Sequence, residues 1–154
     1  MAVRLMKNED IQECVEMALD MHQESFYSQF EINTETLYYL ADRAVADDSY
    51  FGAVSTNYNY NGDIITGMMV GFLAPMWFSN SATTACDIAL YLKPEYRGGL
   101  SAIRLIKAFD DWAVSKNASV IQMGVSTNVN PERTSNLYTR LGYKPEVPLN
   151  RRIV

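Results

Sequence analysis

The chain has 154 residues, a length that favours one domain able to bury a core without disulfides or metal. Apolar residues make up 48% and charged residues 20%, which is ordinary for a globular domain and outside the disordered range. Lys and Arg number 13 against 18 Asp and Glu, a net charge of −5. That balance argues against a nucleic-acid partner, which calls for excess positive charge, but leaves room for a small anion on a local basic patch. Two cysteines, Cys14 and Cys86, make no disulfide framework or four-ligand metal set, and the single histidine, His22, makes no His-based one, so no metal is expected. The longest apolar stretch, residues 64–78, is 15 residues long and interrupted by Thr66, Gly67, Gly71 and Pro75, too short and broken for a membrane span. With no apolar core near the N-terminus to serve as a signal peptide, the expected location is cytoplasmic, with no membrane partner.

Residues 2–6 alternate like a short strand, and Asn8 or Asp10 is placed to cap a following helix. Ile11, Cys14, Val15, Ala18 and Leu19 form its apolar stripe, with His22 next on that face. Residues 23–32 lose this period and read as an aromatic-rich loop. Asn33 then caps a second helix carrying Leu37, Leu40, Ala41, Ala44 and Val45. Residues 50–56 read as a strand, Asn61-Gly62 as a hairpin turn, and residues 64–73 as a returning strand buried on both faces. After a loop over 75–81, residues 82–92 predict another strand, ended by Lys93-Pro94. A helix over about 100–115 buries Ala102, Leu105, Ile106, Phe109, Trp112 and Ala113. Residues 120–126 predict a strand and 131–141 a short helix stopped by Gly142; the tail from 143 to 154 predicts a closing strand or strand pair. The order β-α-α-β-β-β-α-β-α-β makes an α/β (α+β) sandwich around one mixed sheet, all within a single domain over 1–154. Its parallel step, strand 82–92, helix 100–115 and strand 120–126, is a right-handed βαβ crossover.

The informative segment is residues 90–102, LYLKPEYRGGLSA. A strand ends at a proline, Arg97 and Gly98-Gly99 follow, and a helix begins. The free N–H groups of Gly99, Leu100, Ser101 and Ala102 then point out of a helix N-terminus, which suits a phosphate group. The glycines allow close approach to the backbone, and Arg97 adds positive charge. A plain strand-to-helix turn with a surface arginine has the same outline. Neither a P-loop nor a Rossmann glycine pattern is present.

LYLKPEYRGG at 90–99, followed by an amphipathic helix, resembles motif A of the GNAT superfamily of acetyl-CoA-dependent N-acetyltransferases. ERTSNLYTRLGYKP at 132–145 resembles its motif B, and VRLMKNEDIQECVEMA at 3–18 resembles its opening strand and helix. The resemblance spans nearly the whole chain in order. More narrowly, MHQES, the IRLIKAFDDWA helix and GVST are similar to small GNATs often encoded by phages. The family signature, Gln/Arg-x-x-Gly-x-Gly/Ala, aligned on Arg97 puts Ala102 in its sixth position but Leu100 in its fourth, where glycine is usual. The implied fold is a central sheet of about six to seven strands flanked by about four helices.

The resemblance implies a role for each of several residues. The pantetheine arm of acetyl-CoA would lie along the main chain of Leu90 and Leu92, with Tyr91 between them, and a nearby amide would polarise the thioester carbonyl. Arg97, Gly98, Gly99, Leu100, Ser101 and Ala102 would take the pyrophosphate. Asn130 would bond the pantetheine, with Asn128 as its competitor. Tyr138 is the general acid for the leaving thiolate, with plain packing as the alternative. The frequent base position falls at Cys86, with Asp87 beside it; a one-residue shift or a bulge turns Asp87 into the cleft, and otherwise it is a strand-edge charge. Cys86 reads better as a small buried residue than as an acyl carrier. His22, Glu24, Phe26 and Tyr27 would wall the acceptor pocket, and Phe30 and Glu31 lie in the same loop. Trp77 and Phe78 fit either an exposed patch or the core.

The expected function is acetyl transfer from acetyl-CoA to a primary amine, on a small molecule or a peptide, by direct attack. The rival is an idle acyl-CoA-binding or interaction module with the same fold. Monomer and homodimer both remain open.

Overall fold

Five strands lie side by side in the order in which the chain makes them. They are β1 (Ala2–Leu5), β2 (Tyr50–Asn59), β3 (Gly62–Pro75), β4 (Thr83–Leu92) and β5 (Val120–Gln122). The first four pair antiparallel, and β5 runs parallel to β4. The helices are α1 (Ile11–Glu24), α2 (Thr34–Ala46), α3 (Ser101–Ser115) and α4 (Pro131–Arg140). The structure is a computed structural model that describes residues 1–60, 62–146 and 150–154.

The two-residue period of the strands divides the core. Val54 and Met68 face Cys14 and Met17 of α1 and Ala44 of α2. Their neighbours Ala53 and Met69 face the other way, onto Leu105, Ile106 and Phe109 of α3. β3 is buried on both faces from Ile65 to Gly71, as its unbroken apolar run predicts. Phe109 stacks on Trp112 at 5.6 Å and meets Phe51 at 5.4 Å. The Phe109 ring lies so close over Gly71 that a Cβ at this position would collide with it.

Local signals explain most boundaries. The Asn33 side chain accepts from the Thr36 N–H at 3.1 Å and starts α2. Pro131 opens α4, and Gly142, at φ +95°, follows its end. Of the expected hairpin dipeptide, Asn61 lies outside the described residues, and Gly62 has φ +115°. Asp10 does not cap α1. Its carboxylate accepts from the Lys7 N–H at 2.8 Å, closing a short 3-10 turn ahead of the helix, and takes two Arg4 nitrogens at 2.6 and 2.9 Å.

Three expectations are corrected. The sheet has five strands among the described residues, not six to seven. The strand expected over 120–126 stops at Gln122, because the chain turns away from β4 toward left-handed residues at Asn128 and Asn130. The closing strand expected over 143–154 is absent among the described residues of that tail, and residues 147–149 lie outside them. Tyr143 instead donates its hydroxyl proton to Asp110 of α3, and Arg151 reaches back to residues 26–27 and 126. Trp77 and Phe78 are exposed, at 94% and 69%, and touch each other edge to face. Among the described residues no helix is long and apolar enough to cross a membrane.

Asp10 is 3% exposed, and its pKa is lowered: burial opposes the charge, but the Arg4 and Lys7 donors outweigh it. This stability is therefore present above the unfolded carboxylate value and lost as pH falls through the lower folded one. Replacing Asp10 by Ala should leave Arg4 without its partner and lower the unfolding free energy by about 3 kcal/mol, measured by urea denaturation at pH 7. A loss near zero would show that the pair is solvated.

Candidate functional site

Past Cys86, β4 has no strand partner on the β5 side among the described residues. The parallel pairing covers only Thr84–Cys86 opposite Val120–Gln122. At the same point the pairing with β3 jumps from Val70–Ala89 to Gly71–Asp87, which leaves Ile88 as an extra residue in β4. The bulge re-aims the side chains around it. Ile88 is exposed, while Asp87 turns into a groove of about 620 Å³.

That groove runs between the free edge of β4 and the segment 124–130. Its outer end is formed by Gly98, Gly99, Ala102 and Ile103, and its far wall by α4. Gly98 sits at φ +97°, which only glycine adopts without strain. The N-cap residue of α3, Leu100, makes no side-chain cap bond, so among the described residues the first-turn N–H groups have no capping acceptor.

The inner end carries the titratable pair. Asp87 Oδ1 accepts from the Gly124 N–H at 2.8 Å, and Tyr138 donates a long bond, 3.5 Å, to the Gly124 carbonyl. One glycine thus holds both side chains. Burial pushes the Asp87 carboxyl up to about 6, against the Gly124 N–H, which favours the charge. Burial, and then the Asp87 charge, raises the Tyr138 phenol above its ordinary value. Tyr138 is therefore a neutral donor near neutral pH, beside a carboxylate that is mostly ionised.

The other sequence-predicted residues divide. Leu90, Tyr91, Leu92, Gly98, Gly99, Ala102 and Asn130 line the groove. Leu100 and Ser101 do not: Leu100 is 55% exposed, and the buried Ser101 hydroxyl points at the Met1 sulfur, 3.0 Å away. Arg97 lines the groove, but its charge is already matched. Its Nε donates to the Leu92 carbonyl at 2.8 Å, a terminal nitrogen meets Glu24 at 2.8 Å, and the guanidinium lies 5.2 Å from the Tyr91 ring. Glu24 also accepts from the Tyr91 hydroxyl at 2.9 Å. Glu24 thus ties Arg97 and Tyr91 together in the groove wall. Asn130 begins α4 in the left-handed region, and its carbonyl takes the Thr134 N–H, while Asn128 is absent from the wall. The Cys86 thiol is raised by burial and lies 3.7 Å from Gln122, which suits packing and not acyl transfer.

His22 and Tyr27 line a second cavity of about 250 Å³ that adjoins the groove. Phe26 lines neither space; its ring lies under the Arg151 guanidinium, 4.4 Å away. Its N–H donates to the Thr127 carbonyl at 2.8 Å and ties the aromatic loop to the segment after β5.

Two residues escaped the sequence reading. Arg133 and Arg140 line the groove and have no ion-pair partner among the described residues. An Arg133 nitrogen would lie 3.3 Å from a Cβ built on Gly98, beside the uncapped end of α3. Their seven-residue spacing, two turns on one helix face, was the available signal.

No family model matches the sequence, and no curated protein does. Solved structures match over nearly the whole chain. A Trypanosoma brucei acetyltransferase superposes at TM-score 0.73 with 16% identity, covering 99% of each chain. A ribosomal-protein-alanine N-acetyltransferase from Brucella melitensis superposes at 0.70 with 14% identity, covering 100% of each. AAC(6')-Iy in complex with a bisubstrate analogue, CoA-S-monomethyl-acetylneamine, superposes at 0.71 with 13% identity, covering 99% of this chain and 98% of that one. The protein has the mixed α/β GNAT fold.

A folded-state value of about 6 for Asp87, against about 4 in an unfolded chain, fixes a sign. The folded state favours the protonated form, so this group's contribution is most favourable below the unfolded value and declines as pH rises toward 6. Asp87→Asn should therefore gain stability relative to wild type between pH 4 and 6.5, by up to about 3 kcal/mol. Unfolding curves at several pH values test this, and a difference constant with pH would contradict it.

Proposed function

We propose that the protein is an N-acetyltransferase that moves an acetyl group from acetyl-CoA to a primary amine by direct attack. The observation that carries this reading is the placement of Asp87 and Tyr138 on the two polar groups of Gly124, at the inner end of a groove whose outer end is an uncapped helix. Along that groove, the free edge of β4 from Ile88 to Leu92 offers main-chain groups for a pantetheine arm. Gly98, Gly99 and the first turn of α3 offer N–H donors for a diphosphate. Arg133 supplies the formal charge that Arg97, paired with Glu24, does not. This differs from the expectation only in the formal charge, which was placed on Arg97; the main-chain N–H donors expected at Gly99, Leu100, Ser101 and Ala102 keep their role.

Each residue then has one task. Asp87, mostly ionised at neutral pH, takes a proton from the acceptor ammonium, directly or through a water. The freed nitrogen lone pair forms the C–N bond as the C–S bond breaks. Tyr138 gives its hydroxyl proton to the departing sulfur and is suited to do so because burial keeps it protonated, and the second proton, shed by the nitrogen as it becomes an amide, restores the phenol through water. The main chain at the bulge offers a donor for the carbonyl oxygen as charge develops on it. With a net charge of −5, we propose an amine on a small molecule or peptide as partner, and no nucleic acid. A cytoplasmic setting belongs to this reading, in keeping with the free thiols of Cys14 and Cys86.

Thiol release from acetyl-CoA over a panel of primary amines tests the assignment. Tyr138→Phe should lower kcat by about a hundredfold or more with little change in CoA affinity. Wild-type kcat/KM should rise with pH through about 6 as Asp87 loses its proton, and Asp87→Asn should abolish that limb. Tight CoA binding without turnover on any amine would instead identify an acyl-CoA-binding module.

A further inference from the structure

The second cavity indicates which amines the site accepts. It opens between α1, α2 and the sheet, and has a volume of about 250 Å³. Ala18 and Met21 of α1, Leu37 and Leu40 of α2, and Met68 and Val70 of β3 make up much of its wall. It shares Met21, Ile88, Ala89, Ser126 and Thr127 with the groove, so the bulge residue beside Asp87 stands where the two spaces meet. No Asp, Glu, Lys or Arg reaches its wall among the described residues. Glu24, adjacent to the lining residue Ser25, lines the groove instead and spends both oxygens on Arg97 and Tyr91. The outer wall is fixed: Tyr27 stacks against Arg151 at 5.2 Å, and the Phe26 N–H holds the Thr127 carbonyl.

We infer that the acceptor is a primary amine bearing one uncharged, apolar substituent, which fills this cavity while the nitrogen sits at its junction with the groove. The inference rests on the acetyltransferase reading and narrows it. A second cation on the substituent would enter an apolar space with no counter-charge and would lose its hydration without replacement. An aliphatic or aromatic group instead leaves water for a wall of alkyl and thioether groups. The same chemistry is presented by a free monoamine and by the first residue of a peptide with an apolar N-terminal side chain.

The test compares pentylamine with cadaverine, which differ by one terminal ammonium, adds phenethylamine, and includes two peptides that differ only in Phe or Gly at the N-terminus. Acetylation of each is measured, and binding of each amine to the 154-residue chain with CoA present is measured by calorimetry. We expect pentylamine and phenethylamine to exceed cadaverine at least tenfold in kcat/KM. A Phe peptide alone acting as substrate would support the same cavity and identify the peptide source. Ala18→Leu should fill the space and raise KM for phenethylamine at least tenfold with CoA affinity retained, which also shows that the variant folds. Leu40→Asp should narrow the gap between pentylamine and cadaverine. Equal or better use of cadaverine, or an unchanged KM in Ala18→Leu, would overturn the inference. If no amine is acetylated, the acetyltransferase reading fails. The cavity is then judged by binding alone: pentylamine bound more tightly than cadaverine, and weakened by Ala18→Leu, sustains it, and any other pattern rejects it.

Discussion

The site depends on one interruption of backbone pairing. β4 and β5 run together for three residues and then part, while an extra residue in β4 shifts its register against β3. A strand edge with unsatisfied N–H and C=O groups is unfavourable unless water or a partner meets them. Here the parted edge faces a groove closed on its other side by residues 124–130 and α4. The bulge turns Asp87 inward, and the return of the chain at Gly124 supplies both the N–H that holds Asp87 and the carbonyl that Tyr138 reaches. Had β5 continued to residue 126 in register, the same residues would have made ordinary sheet, with no cleft.

Burial then sets the protonation states at the inner end of the groove. Two groups that would titrate far from neutrality in water are both moved upward by the same partly dry wall. For the carboxyl, the move brings its value closer to neutrality and makes it a stronger base. For the phenol, it guarantees a bound proton. At the opposite end of the groove, positive character comes from backbone donors and from Arg133, since Arg97 is held by Glu24, Tyr91 and Leu92. Arg97 and Glu24 together fix the wall along which a ligand would lie.

Much of this was legible in the sequence because it rests on periodicity and caps. The alternating and helical stripes located β2, β3, β4 and all four helices, and Asn33 and Gly142 marked ends that the structure keeps. The turn at residues 97–99 was visible as a break between a strand and an amphipathic helix. What the sequence concealed was tertiary. Residues 120–126 are apolar enough for a longer strand, yet pairing stops at Gln122 because the chain turns off toward left-handed asparagines. The tail read as a strand, but Tyr143 finds Asp110, and Arg151 finds Phe26 and Tyr27. Asp87 could be placed in the cleft only on condition of a bulge, and the bulge is there. The engagement of Arg97 by Glu24, 73 residues earlier, left no local signature.

The central claim is that the free edge of β4 and the start of α3 form one binding track for CoA. Amide hydrogen exchange, followed with and without saturating CoA, tests it most directly. The account predicts new protection concentrated in residues 88–92 and 98–103, with the α2 amides, which lie outside the groove, unchanged. Protection absent from both segments, or appearing elsewhere while CoA is bound, would contradict it.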